Sequence, residues 1–246
     1  MKKKFIGNCK LCLTENIELC DSHIISELFY KRIGYDHLHQ IYVHVPYPNR
    51  KYKRILQKGE TEKLLCIKCE GIIGKYETYA ANYLDKLRSL VKPEYNVDIP
   101  VKVNYTKFKL FVLSLFWRAS VSQSNNLCDL YKHENSIREM ILHGDAGESY
   151  DYGIMIYNIH TNYSPINLTQ IISQCLDVGK RIHGHKAFRF LGYGFGFLLF
   201  VSSHLKEAEF KQLFIQKIDR MVVVSSKPEN INDIIKELVK NTEQNT

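Results

Sequence analysis

Four of the chain's seven cysteines fall into two identical short spacings, Cys9-Lys10-Leu11-Cys12 and Cys66-Ile67-Lys68-Cys69. Two residues between cysteines bring both sulfurs to one side of a tight backbone knuckle, at the angle a tetrahedral ion requires. Two such knuckles complete a four-cysteine site, and thiolates in tetrahedral geometry favour Zn2+. A redox role is the competing reading, but redox CxxC motifs usually occur once, at the start of a helix that follows a strand. An odd number of cysteines, with no signal peptide expected, speaks against a disulfide framework. Zinc would close a loop from residue 9 to residue 69, so the 53 residues between Cys12 and Cys66 must carry structure of their own. Cys20, Cys128 and Cys175 are expected to be ordinary buried thiols, with Cys20 near enough to the first knuckle to be a spare ligand.

Composition allows a substantial core around that clamp. Of 246 residues, 45% are hydrophobic and 24% charged, which excludes a globally disordered chain. The longest apolar runs, residues 110–117 and 195–201, fall well short of the roughly 18–20 residues that span a bilayer. The basic start, Met1-Lys2-Lys3-Lys4, has no apolar stretch behind it, so a cytoplasmic protein without a membrane partner is expected. The net charge is +8, and most of the excess falls before residue 96. A basic N-terminal part is compatible with a phosphate backbone as partner.

The patterning predicts an α+β chain in two domains, residues 1–95 and 96–246, with the boundary in 92–100. Residues 5–20 read as a hairpin around the first knuckle and residues 23–33 as a short amphipathic helix. Residues 34–60 read as a loop or irregular ribbon. After the second knuckle, Ile72, Ile73, Tyr76, Tyr79, Ala80, Tyr83, Leu84, Leu87 and Leu90 recur at helical spacing, predicting a long helix that ends near Val91, ahead of Pro93. Residues 106–122 are apolar almost all round and read as a buried central helix. Arg118 within it is expected to pair with a buried acid or a carbonyl. Residues 134–143 and 231–239 read as further helices. Runs at 152–160, 188–202 and 215–225 read as three strands of an antiparallel sheet. Gly192-Tyr193-Gly194-Phe195-Gly196 lacks the spacing of a phosphate loop and fits a strand whose glycines admit a close neighbour. His183-Gly184-His185 reads as an exposed loop.

Chemistry is concentrated beside the knuckles. Asp21-Ser22-His23 follows the first, Glu70 directly follows the second, and Glu77 lies two turns on. One ion joining the two knuckles would bring His23 and these carboxylates together beside a basic surface. A histidine can deprotonate water, and carboxylates can hold Mg2+ or Mn2+ to stabilise charge on a phosphodiester. The run Arg50-Lys51-Tyr52-Lys53-Arg54 interleaves a tyrosine with four cations and suits a nucleic-acid backbone, with the ring stacking on an exposed base.

The order CxxC, Ser22-His23-Ile24-Ile25, Leu64-Leu65-Cys66-Ile67-Lys68-Cys69-Glu70 and Tyr76-Glu77 resembles the HNH family of ββα-metal nucleases in its zinc-bound, treble-clef form, over about residues 5–80. With residues 111–122 behind it, the chain looks like a group of bacterial proteins with an HNH-like N-terminus. The resemblance implies an N-terminal zinc-bound treble clef, His23 as general base, and Glu70 with Asp21 or Glu77 positioning a catalytic Mg2+ or Mn2+. It implies an endonuclease acting on DNA, less readily on RNA, in a setting such as bacterial phage defence. Ser22 stands where the family carries an acidic ligand, and Thr61 or Glu62 where it carries an asparagine. The alternative is therefore a non-catalytic module that binds nucleic acid or protein.

Overall fold

The computed structural model describes residues 4–33, 59–91, 97–99, 102–123, 128–159, 172–218 and 221–225. The run Arg50 to Arg54 and the expected helix at 231–239 lie outside these residues. The chain is a mixed α+β structure. Its first part holds β1 (Ile6–Gly7), β2 (Ile17–His23), α1 (Glu27–Ile33), β3 (Thr61–Cys66) and α2 (Ile67–Leu90). The three strands form an antiparallel sheet in the order β1-β2-β3.

The rest begins with β4 (Val97–Ile99), α3 (Tyr105–Val121) and α4 (Glu134–His143). The strands β5 (Ile154–Asn158), β6 (Leu176–Asp177), β7 (Ala187–Gly192), β8 (Phe195–Phe200) and β9 (Met221–Ser225) follow. With β4 they make a six-stranded sheet of order β4-β9-β5-β8-β7-β6. Its pairs are antiparallel except β5 with β9, which run parallel.

The helices follow the patterning closely. α2 buries Ile73, Tyr76, Ala80, Tyr83, Leu84 and Leu87 and ends at Leu90, where Val91 turns to extended backbone. α3 starts at Asn104, whose side chain accepts from the Lys107 N–H at 2.9 Å, an N-cap that satisfies one of the orphan amides of the first turn. α4 ends at Gly144 with φ 71°, the left-handed stop that glycine adopts without a Cβ penalty.

One strand and one helix expectation are corrected. The run at 188–202 is not one strand but the hairpin β7–β8, turned by Tyr193 and Gly194 with φ 58° and 82°. Left-handed backbone at both central residues matches the twist of a two-residue hairpin, and an unbroken apolar stretch hides such a turn. The helix expected at 23–33 starts only at Glu27, because β2 pairs with β3 through His23↔Thr61.

α3 touches α2, α4 and β8, and it is buried along nearly its whole length. One continuous apolar core includes residues from both sides of the 92–100 segment. Phe29 of α1 shows how it is joined: its ring centroid lies 4.8 Å from that of Phe190 and 6.1 Å from that of Phe111. No helix among the described residues is long and apolar enough to cross a membrane.

Candidate functional site

The first knuckle lies between β1 and β2. The Cys9 N–H donates to the Thr14 carbonyl and the Leu13 N–H to the Cys9 carbonyl, both at 2.9 Å. Leu13 takes a φ of 60° to close this turn. The Lys10 N–H donates to the Leu64 carbonyl at 2.9 Å, which docks the knuckle on β3. The second pair straddles the junction of β3 and α2: Cys66 is the N-cap residue and Cys69 sits in the first turn.

These two junctions bring the sulfurs of Cys9, Cys12, Cys66 and Cys69 within 4.8 Å of one another, and the cluster could hold a metal ion. The Cys12 and Cys66 sulfurs are 3.9 Å apart, and the Cys66 N–H donates to the Cys9 sulfur at 3.3 Å. Burial holds the Cys9 and Cys69 thiols above the ordinary range. At Cys12 burial pushes the same way, but hydrogen bonds from the Thr14 hydroxyl and backbone outweigh it and bring the thiol down to about 6. A cation among the sulfurs would offset the cost of burying several thiolates together. Cys20 stays outside the cluster. Cys128 and Cys175 are buried thiols that donate to the carbonyls of Phe116 and Leu115 in α3.

The strand alternation of β2 sorts the neighbouring candidates. Ser22 points inward and is buried, whereas Asp21 faces out and pairs with Lys63 at 2.8 Å. The Ser22 hydroxyl accepts from the Leu65 N–H at 3.2 Å and donates to Oε1 of Glu70 in the first turn of α2. The end of β2 is thereby fastened to the start of α2, next to the four thiols. His23 closes β2 half-buried, and no hydrogen bond links its imidazole to another described residue.

Arg118 supports this arrangement from below. Its side chain is only 2% exposed; Nη1 donates to the His23 carbonyl at 2.8 Å and Nη2 to Oε1 of Glu77 at 2.7 Å. Both partners expected for it, an acid and a carbonyl, are present. Its link to His23 was not legible, because 95 residues separate the two; the one signal was a cation set behind the apolar run 110–117. Glu62 plays a comparable part, accepting from the Ser122 hydroxyl at 2.6 Å and tying β3 to the end of α3.

Among the described residues, no group of three or more His, Asp or Glu side chains gathers around a second ion position. Asp21 and Glu77 each face a cation, while the partner of Glu70 is a neutral hydroxyl. No protein-family model, no curated protein and no solved structure matches this chain.

Proposed function

We propose that the chain is a zinc-stabilised, HNH-like endonuclease that hydrolyses phosphodiester bonds in DNA. Four thiolates about 2.3 Å from Zn2+ in tetrahedral array put neighbouring sulfurs about 3.8 Å apart, and the Cys12–Cys66 separation of 3.9 Å agrees. A knuckle, an antiparallel strand pair and a helix carrying the second cysteine pair are the parts a treble clef requires.

The observation that carries the catalytic reading is the Ser22–Glu70 hydrogen bond. It holds the strand end bearing His23 against a carboxylate at a helix start. Of the three candidate acids, Asp21, Glu70 and Glu77, only Glu70 has no cationic partner among the described residues, so it is the one that would hold Mg2+ or Mn2+. Such an ion takes one or two protein carboxylates and fills its remaining positions with water and phosphate oxygens; when bound it stabilises charge on the phosphate and the leaving oxygen. His23 takes the proton from the attacking water. Arg118 positions His23 through its carbonyl, and Asp21 and Glu77 act through the cations they neutralise.

The test is incubation of the zinc-replete chain with plasmid and linear DNA, and with RNA, in Mg2+ or Mn2+, beside His23→Ala. Cleavage of DNA by the wild type and its loss in a folded, zinc-loaded His23→Ala protein is the expected result. The non-catalytic alternative draws on the neutralised Asp21 and Glu77. Salt-dependent DNA binding without cleavage in either protein would select it.

A further inference from the structure

Away from the thiol cluster, a concave site lies at the end of the six-stranded sheet where β5 and β7 begin and β8 ends. It is an open cavity of about 930 Å3, within the size range of small-molecule sites. The approach to α4 supplies Lys132 and His133, the β6–β7 turn supplies Arg181 and Lys186, and the segment after β8 supplies Lys206.

Three of the four lining cations, Lys132, Arg181 and Lys206, face no carboxylate among the described residues; Lys186 pairs with Asp177 at 3.1 Å. Lys132 and Lys186 both bear on His133: after burial, their charges hold its imidazole below the ordinary range. The cavity is also lined by three acids, each held at its rim by a neighbouring group. Asp145 and Asp151 accept from the amides of Gly147 and Glu148 at 2.9 and 2.8 Å, and Glu207 lies 4.0 Å from His204.

Two half-buried rings, Tyr150 and Tyr152, line the same space. The backbone around it is held in uncommon conformations: Tyr152, Tyr131 beside Lys132, and His183 in the turn between Arg181 and Lys186 have φ of 54°, 47° and 46°. Bulky residues with positive φ are rare and gather at ligand sites.

We propose that this cavity binds a nucleoside phosphate, with its phosphates on Lys132, Arg181 and Lys206 and its base against the tyrosine rings. Cations provide the charge complement for phosphate oxygens, and aromatic faces accept any base. The site does not depend on the nuclease reading, since it shares no residue with His23, Glu70 or the thiols.

The test is calorimetric titration of the full, zinc-loaded chain with ATP, GTP, CTP, UTP and inorganic triphosphate, without added divalent cation. Lys132→Ala, Arg181→Ala and the double variant run alongside, their folding checked by circular dichroism. Saturable binding of at least one nucleotide at one site per chain is expected, at least tenfold weaker in each single variant and lost in the double. DNA binding by the double variant should match the wild type, which separates this site from the proposed nuclease centre. Absence of binding by all four nucleotides at millimolar concentration would overturn the proposal, as would binding unchanged in the double variant. Triphosphate binding as tight as that of the nucleotides would overturn the assignment of the rings.

Discussion

Arg118 and Lys109 are buried cations on the same helix, and they make opposite demands on the fold. Arg118 is neutralised by Glu77, so truncating the acid leaves a charge stranded in the core. Glu77→Ala should cost about 3–5 kcal/mol in urea unfolding, the usual penalty for breaking one side of a buried pair. Lys109 has no carboxylate in contact among the described residues; its ammonium donates to the Tyr105 hydroxyl and to the carbonyls of Glu148 and Asp151 at 3.1, 2.6 and 2.5 Å. Burial lowers its pKa from 10.5 to about 7. Between those limits the unfolded chain binds more protons than the folded one, so stability rises with pH from about 7 towards 10.5. Measured against Lys109→Met, the stability difference should be level below pH 7 and should move in favour of the wild type above it. A flat difference across that window would show that Lys109 keeps its proton throughout. Arg118 was expected to find a partner from its place in an apolar run, whereas nothing in the sequence marked Lys109 as buried.

Helices were the more legible elements, and strands the less. Residues at spacings of three and four mark α2, and α4 occupies the residues its pattern indicated, because helical periodicity is local. Strand pairing is not local. Nothing in residues 221–225 says that β9 lies parallel to β5, and the two-residue strands β1 and β6 carry no pattern to read. The glycine-aromatic run was half legible. Gly192 and Gly196 stand where a neighbour approaches closely: a Cβ on Gly192 would lie 2.8 Å from Phe29 Cδ1, and one on Gly196 would meet the Tyr157 ring. Gly194 instead makes the turn. Gly196→Ala should therefore lower stability by about 1–3 kcal/mol through overpacking, measured by chemical denaturation. An effect near zero would mean that Tyr157 moves aside. α4 joins separate parts of the molecule: Arg138 donates to the Leu11 carbonyl in the first knuckle at 2.7 Å, while Lys132 and His133 at its approach line the cavity at the end of the six-stranded sheet.

The four-cysteine cluster was the feature of the site most plainly legible, since the ligand spacing is itself the signal. Its setting was not. Ser22–Glu70, Arg118–His23 and Arg138–Leu11 join residues 48, 95 and 127 positions apart, and only the folded chain brings them together. Because one apolar core includes the knuckle cysteines and residues of β5, β7, β8 and β9, removal of an ion held by the four thiols should destabilise all of it. Chelation should shift a single calorimetric transition downward. A low-temperature transition splitting off, with the remainder unmoved, would mark the thiol module as an independent unit.

The division of labour proposed for His23 and Glu70 is open to a kinetic test. Single-turnover cleavage of a DNA duplex should be followed against Mn2+ concentration for zinc-loaded wild type, His23→Ala and Glu70→Gln. Wild type should cleave in a Mn2+-dependent manner. Glu70→Gln should require much more Mn2+, or lose activity, whereas His23→Ala should lose at least 100-fold in rate, of the order expected for a missing general base. Wild-type rates in a folded His23→Ala protein, or no metal-dependent cleavage by the wild type, would contradict the assignment.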